Sequence, residues 1–202
     1  MSDASKKRQT FEDPTAADLQ TQPLYIVGLG ASAGGLTALE QFFQSVPTDS
    51  GLTFIVVQHL SPDFKSLMDE LLAKQTSITI RQIVDDTPIE PNTIYLAPPR
   101  KNLLLEKKRL YLVDPEPHPK LFLPIDAFFR TLAEHSGKQA IAVVLSGAGS
   151  DGTEGIKHIS RAGGLVLAQE AASAKFDAMP LNAQATGLVD WVLPPQRMPQ
   201  NI

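Results

Sequence analysis

Short apolar runs, each followed by small or polar residues and then by an apolar stripe at helical spacing, recur along this chain. Leu24 to Val27, Leu52 to Val57, Ile141 to Leu145 and Leu165 to Ala168 have the unbroken β-favouring character of strands covered on both faces. After the first run Gly28 is expected to open a tight turn. Leu36, Leu39, Phe42, Phe43 and Val46 then recur at helical spacing until Pro47 stops the helix. The same pattern predicts helices over 65–74, from Pro124 to Gly137 with Phe128, Phe129 and Leu132 facing the core, over 153–161 and over 179–186. Shorter strands are expected over 78–84, 93–97 and 189–193. Leu103 to Leu105 and Leu110 to Val113 flank Glu106-Lys107-Lys108-Arg109 and read as a β-hairpin with a charged tip. Strands alternating with helices predict an α/β fold: a doubly wound, mostly parallel open sheet with helices on both faces and a small antiparallel hairpin excursion.

Residues 1–23 mix polar residues with hardly any apolar periodicity and are expected to be a disordered tail or linker. One domain is expected over 24–193 and a C-terminal tail over 194–202. A formal net charge of −4 argues against a general nucleic-acid binder. No apolar run approaches the roughly twenty residues that span a bilayer, so no membrane insertion is expected and the cytoplasm is the natural compartment. The absence of cysteine excludes disulfides, thiolate nucleophiles and cysteine-ligated zinc. Arg100 and Lys101 join the hairpin tip in a basic cluster, either a solvated turn or a docking patch for an acidic partner. His118, in the proline-rich stretch Asp114 to Lys120, reads as an exposed loop residue.

The stretch LYIVGLGASAGGL, Leu24 to Leu36, has three readings on its own. Its glycines loosely fit a dinucleotide loop. Ser32 reads either as the N-cap of the next helix or as a nucleophile in G-x-S-x-G, lifted onto a sharp strand-to-helix bend. The rest of the chain separates these readings. In an open parallel sheet the ligand crevice lies outside the carboxyl ends of the strands, and Ser32, His59 and Asp151 each follow such an end. Their types are those of a nucleophile, a base and an orienting acid. A serine hydroxyl is a poor nucleophile at neutral pH, so an imidazole must take its proton and return one to the leaving group, while a carboxylate holds the imidazole. Negative charge developing on the attacked carbonyl needs aimed donors. The backbones of Ala33, Gly34, Gly147, Ala148 and Gly149, in the two small-residue turns, are the candidates. Taken singly, Asp151 also fits the cap of its own helix and His59 a structural histidine, the reading that His135 and His158 keep. No metal or organic cofactor is called for.

The segments IVGLGASAGGL, FIVVQHL, LSGAGSDGTEG and QEAASAKFDAMP resemble, in order and spacing, the catalytic domain of the chemotaxis protein-glutamate methylesterases, the CheB-type family. The resemblance runs from Leu24 to Leu193 and is nearest to esterase domains in methylesterase/methyltransferase fusions. It implies hydrolysis of glutamate γ-methyl esters on a methylated chemoreceptor-like protein, with release of methanol and a related glutamine deamidation. It also implies Ser32, His59 and Asp151 as catalytic serine, histidine and aspartate, without a cofactor. Ala148 stands where the family commonly has methionine, and Ala33 where it commonly has threonine. Regulated members carry an N-terminal receiver domain, and the segment before Leu24 is too short for one. Control in trans, or a longer parent chain bearing a methyltransferase or sensory module, is the expectation. The alternatives are a catalytically weak receptor-binding module and, more distantly, a nucleotide-binding domain.

Overall fold

The structure is a computed structural model that describes residues 23–59, 65–115 and 122–202. All but the last residue of the expected tail over 1–23 lies outside these, as does His118. In chain order the elements are β1 (Ile26–Ala31), α1 (Gly35–Phe43), β2 (Thr53–Gln58), α2 (Lys65–Ala73), β3 (Thr79–Gln82), β4 (Thr87–Pro88), β5 (Thr93–Leu96), β6 (Asn102–Glu106) and β7 (Arg109–Val113). Then follow α3 (Pro124–Ser136), β8 (Ala140–Val144), α4 (Gly155–Arg161), β9 (Leu165–Gln169), α5 (Ala178–Ala185) and β10 (Trp191–Leu193).

Seven strands form one sheet in the order β10-β9-β8-β1-β2-β5-β3, and every pair in it is parallel. Each face is covered. Ile55, Val57, Ala142 and Val144 pack against Ile125, Phe128, Phe129 and Leu132 of α3, with α4 and α5 beside it. On the other face Leu29, Val56 and Val143 pack against Leu39, Phe42 and Phe43 of α1 and Leu72 of α2. Strands so enclosed are apolar throughout because neither face meets water, which is why their runs stand out in the sequence. The hairpin of β6 and β7 is present, and β4, which the sequence reading missed, extends it to a three-stranded antiparallel sheet.

Two expectations are corrected here. The first strand does not end at Val27: β1 runs through Gly28 and Gly30, both fully enclosed. A Cβ on Gly28 would lie 2.9 Å from Leu132 and Phe128, and one on Gly30 would lie 2.5 Å from Ile125 Cγ2. These glycines therefore let α3 approach the middle of the sheet, and the turn begins only after Ala31. Residues 194–202 are not a tail. They form two short 3-10 turns, and Met198 is fully buried against the α1 side of the sheet because its thioether completes that core.

β1 is followed in the chain by β2 on one side, while β8 lies on its other side, so the strand order reverses between β1 and β8. The crevice of a doubly wound sheet opens at such a reversal. In register, Ala31 pairs with Gln58, and Gly30 pairs with both Val57 and Val144. The chain consequently leaves β1, β2 and β8 at one level of one edge.

Candidate active site

Ser32 is the first residue past β1. Its N–H donates to Ser146 O at 3.0 Å, tying the turn after β1 to the turn after β8. The N-cap of α1 is Gly34, in the left-handed region at φ 72°, and no side chain caps that helix, so Ser32 is not its cap. Gly34 supplies the sharp bend: a Cβ there would lie 2.8 Å from both Lys175 Cβ and Ser146 Oγ. His59 is the first residue past β2 and its N–H donates to Ala31 O at 3.2 Å. Ser32 Oγ lies 3.4 Å from His59 Nδ1, and His59 Nε2 lies 2.9 Å from Asp151 Oδ2. That second approach is close in distance, but the Nε2–H direction misses the carboxylate oxygen.

Asp151 does not cap its own helix, since α4 starts only at Gly155. It caps α3 across the fold, where Leu123 offers no side-chain cap. Asp151 Oδ2 accepts from Ile125 N at 3.0 Å, and Oδ1 accepts from Asp126 N and Gly152 N at 2.9 Å each. At 2% exposure the carboxylate is thus fully engaged, with three backbone donors and the positive end of the α3 dipole holding it against His59. Asp126 repeats the arrangement one step out, accepting from Gly155 N at 2.6 Å at the start of α4. Its carboxyl is pushed up to about 6, chiefly by burial; the Gly155 N–H works against this and the neighbouring Asp151 charge adds to it.

The five backbone candidates for charge stabilisation separate. The Gly147 N–H already donates to Phe176 O at 2.9 Å, so it is not an open donor, contrary to expectation. Gly147 serves by lacking a side chain, since a Cβ there would lie 2.8 Å from Ser32 Cβ and 2.1 Å from Met179 Sδ. The N–H groups of Ala33, Gly34, Ala148 and Gly149 have no partner among the described residues. The Ala33 N–H follows the serine directly, the position from which a strand-turn-helix nucleophile bend supplies a donor.

Sequence reasoning missed several participants. Ser146, 1% exposed, donates its hydroxyl proton toward Ala33 O at 2.9 Å and accepts from Phe176 N at 3.0 Å, while its N–H reaches Gln169 Oε1 at 2.8 Å. It joins the serine turn to the loop carrying Lys175 and Phe176. Gln58, His59, Arg100 and Phe122 line a cavity of about 310 Å³ beside the serine. The sequence reading placed Arg100 only in the basic cluster and Gln58 only as the residue before His59, and assigned neither to this cavity. The basic cluster is largely neutralised, with Lys101 paired to Asp114, Arg109 to Asp86 and Lys107 to Glu106. His135 is exposed on α3, and His158 lines a different cavity with Asp126, Arg130 and Glu154. Among the described residues no three His, Cys, Asp or Glu side chains are grouped to hold a metal ion, and no helix is long and apolar enough to cross a membrane.

Residues 27–202 match the family model described as CheB methylesterase. A Rhodobacter capsulatus chain described as an uncharacterized 104.1 kDa protein is 42% identical over 131 residues, 65% of this chain and 14% of that one. The protein-glutamate methylesterase/protein-glutamine glutaminase of Pectobacterium atrosepticum is 32% identical over 195 residues, 93% of this chain and 55% of its own. A Leptospira interrogans protein described as putatively the same enzyme is 32% identical over 166 residues, 82% of this chain and 86% of its own. The chain therefore spans from a small fraction to most of the length of these relatives. Among solved structures, the Thermotoga maritima CheB methylesterase catalytic domain superposes with a TM-score of 0.81 at 27% identity, covering 88% of this chain and 96% of that one.

Proposed function

This chain belongs to the CheB methylesterase family, and from that premise we propose that it hydrolyses glutamate γ-methyl esters on a chemoreceptor-like protein in the cytoplasm. Ser32 Oγ attacks the ester carbonyl as His59 takes its proton. The tetrahedral oxyanion is met by the N–H of Ala33 and by donors of the Ala148-Gly149 turn. The intermediate collapses, the C–O bond to methoxide breaks, and His59 returns the proton so that methanol leaves. Water, deprotonated by the same imidazole, then cleaves the seryl ester and frees the glutamate carboxylate. Asp151 orients the imidazole and balances its charge when protonated. A glutamine side chain attacked in the same way would lose ammonia, the deamidation that the glutaminase name of the relatives describes.

The observation that carries this reading is the meeting of Ser32, His59 and Asp151, from three strand ends, within 3.4 Å and 2.9 Å contacts around a carboxylate fixed by α3. The share of the Rhodobacter relative that this chain covers, 14%, supports a setting within longer chains that carry other modules, a methyltransferase or a sensor among them. Ser32→Ala is expected to abolish methanol release from a methylated receptor fragment, by about four orders of magnitude or more, while the circular dichroism and melting temperature stay near those of the parent. Turnover that survives the substitution would sink the assignment.

A further inference from the structure

Arg100 is the member of the basic cluster that lines the cavity beside Ser32, together with His59. Lys101, Lys107 and Arg109 are each paired with a carboxylate, while Arg100 and Lys108, the latter at the hairpin tip, have no such partner among the described residues. Across the cavity Phe122 lies against His59, with ring centroids 6.4 Å apart. Gln58 adds a buried amide oxygen, Oε1, with no donor among the described residues, and its Nε2 reaches Ser32 O at 3.4 Å. An exposed guanidinium thus stands beside the nucleophile, and a ligand that pairs with it brings an anion, which an acidic residue in a peptide provides from its side chain.

We propose that this cavity is the subsite for an acidic residue flanking the target glutamate, with Arg100 pairing with its carboxylate. This rests on the ester-hydrolysis reading above and narrows its substrate to esters set in acidic sequence. Arg100 touches the substrate's neighbour rather than the reacting atoms, so it acts on specificity.

The test uses the full chain and two synthetic peptides, each carrying one glutamate γ-methyl ester and differing only in whether the flanking residues are Glu or Gln. The parent is expected to favour the Glu-flanked peptide about three- to tenfold in kcat/KM, mainly through KM, as befits one partly exposed charge pair, and the preference should shrink in high salt. Arg100→Gln is expected to level the two peptides, Arg100→Lys to retain most of the preference, and Arg100→Glu to favour a Lys-flanked peptide instead. Equal kcat/KM for both peptides with the parent, or an undiminished preference in Arg100→Gln, overturns the subsite while leaving ester hydrolysis standing. Methanol release from neither peptide overturns both readings. Should the Arg100 variants fail to fold, the parent's ratio between the two peptides decides alone.

Discussion

At the scale of single residues, the site is held by side chains that serve a neighbouring element. Asp151 caps α3, Asp126 caps α4, and the two carboxyls stand one amide apart, because the N–H of Asp126 itself donates to Asp151. Burying a second acid beside the first is unfavourable, and the carboxyl of Asp126 answers by holding its proton to about 6. With the folded value above the ordinary carboxylate value, the stability this group supplies is complete at low pH and is lost as pH rises through about 6. Asp126→Asn keeps an oxygen to accept from Gly155 N and removes the charge. It is expected to melt with the parent near pH 4 and above it at pH 7.5, by about 1 kcal/mol once screening by water is allowed for, or roughly 2–4 °C. Melting curves across that range are the measurement, and a gap that does not widen with pH would show that the capping geometry, rather than the charge, dominates.

At the scale of elements, α3 is the part on which the sheet and the site both depend. Its apolar face covers β1, while its first turn grips Asp151, so a displacement of the helix is transmitted to the carboxylate that faces His59. Gly30 is where this coupling is tightest, with Ile125, the residue whose N–H holds Asp151 Oδ2, packed directly above it. Gly30→Ala would force Ile125 to move, at a cost of about 1–3 kcal/mol, and is expected to lower esterase kcat more than KM. A Gly30→Ala variant as stable and active as the parent would mean that α3 can shift without disturbing Asp151. The existence of α3 was legible, from Pro124 and the Phe128, Phe129 and Leu132 stripe. Its dependence on Asp151, 26 residues further along the chain, was not, because a cap supplied from another element leaves no local pattern.

At the scale of the whole molecule, what the sequence disclosed and what it withheld divide by range. The parallel sheet and the meeting of Ser32, His59 and Asp151 were legible because strands enclosed on both faces must be apolar and because parallel order delivers their carboxyl ends to one edge. The true end of β1, the engaged N–H of Gly147, the role of Ser146 and the order of residues 194–202 were not, since each is decided by a through-space neighbour. The C-terminal segment illustrates this. Its prolines and polar residues resemble a tail, yet Met198 is fully enclosed with the α1 side of the core and Ile202 packs against the same cluster. Met198→Ala would leave a cavity there and is expected to cost about 2–4 kcal/mol, which lowers the melting temperature by several degrees. Gln196→Ala, an exposed neighbour on the same turn, should change it by no more than about 0.5 kcal/mol. Because Met198 packs in the α1 side of the core and does not line the cavity beside Ser32, the loss should appear in thermal denaturation and leave kcat/KM for a methyl-ester peptide at low temperature nearly unchanged. Equal melting temperatures for the two variants would return residues 194–202 to the status of a tail, and a matching loss of activity would mean that the α1 side of the core also sets the bend at Ser32.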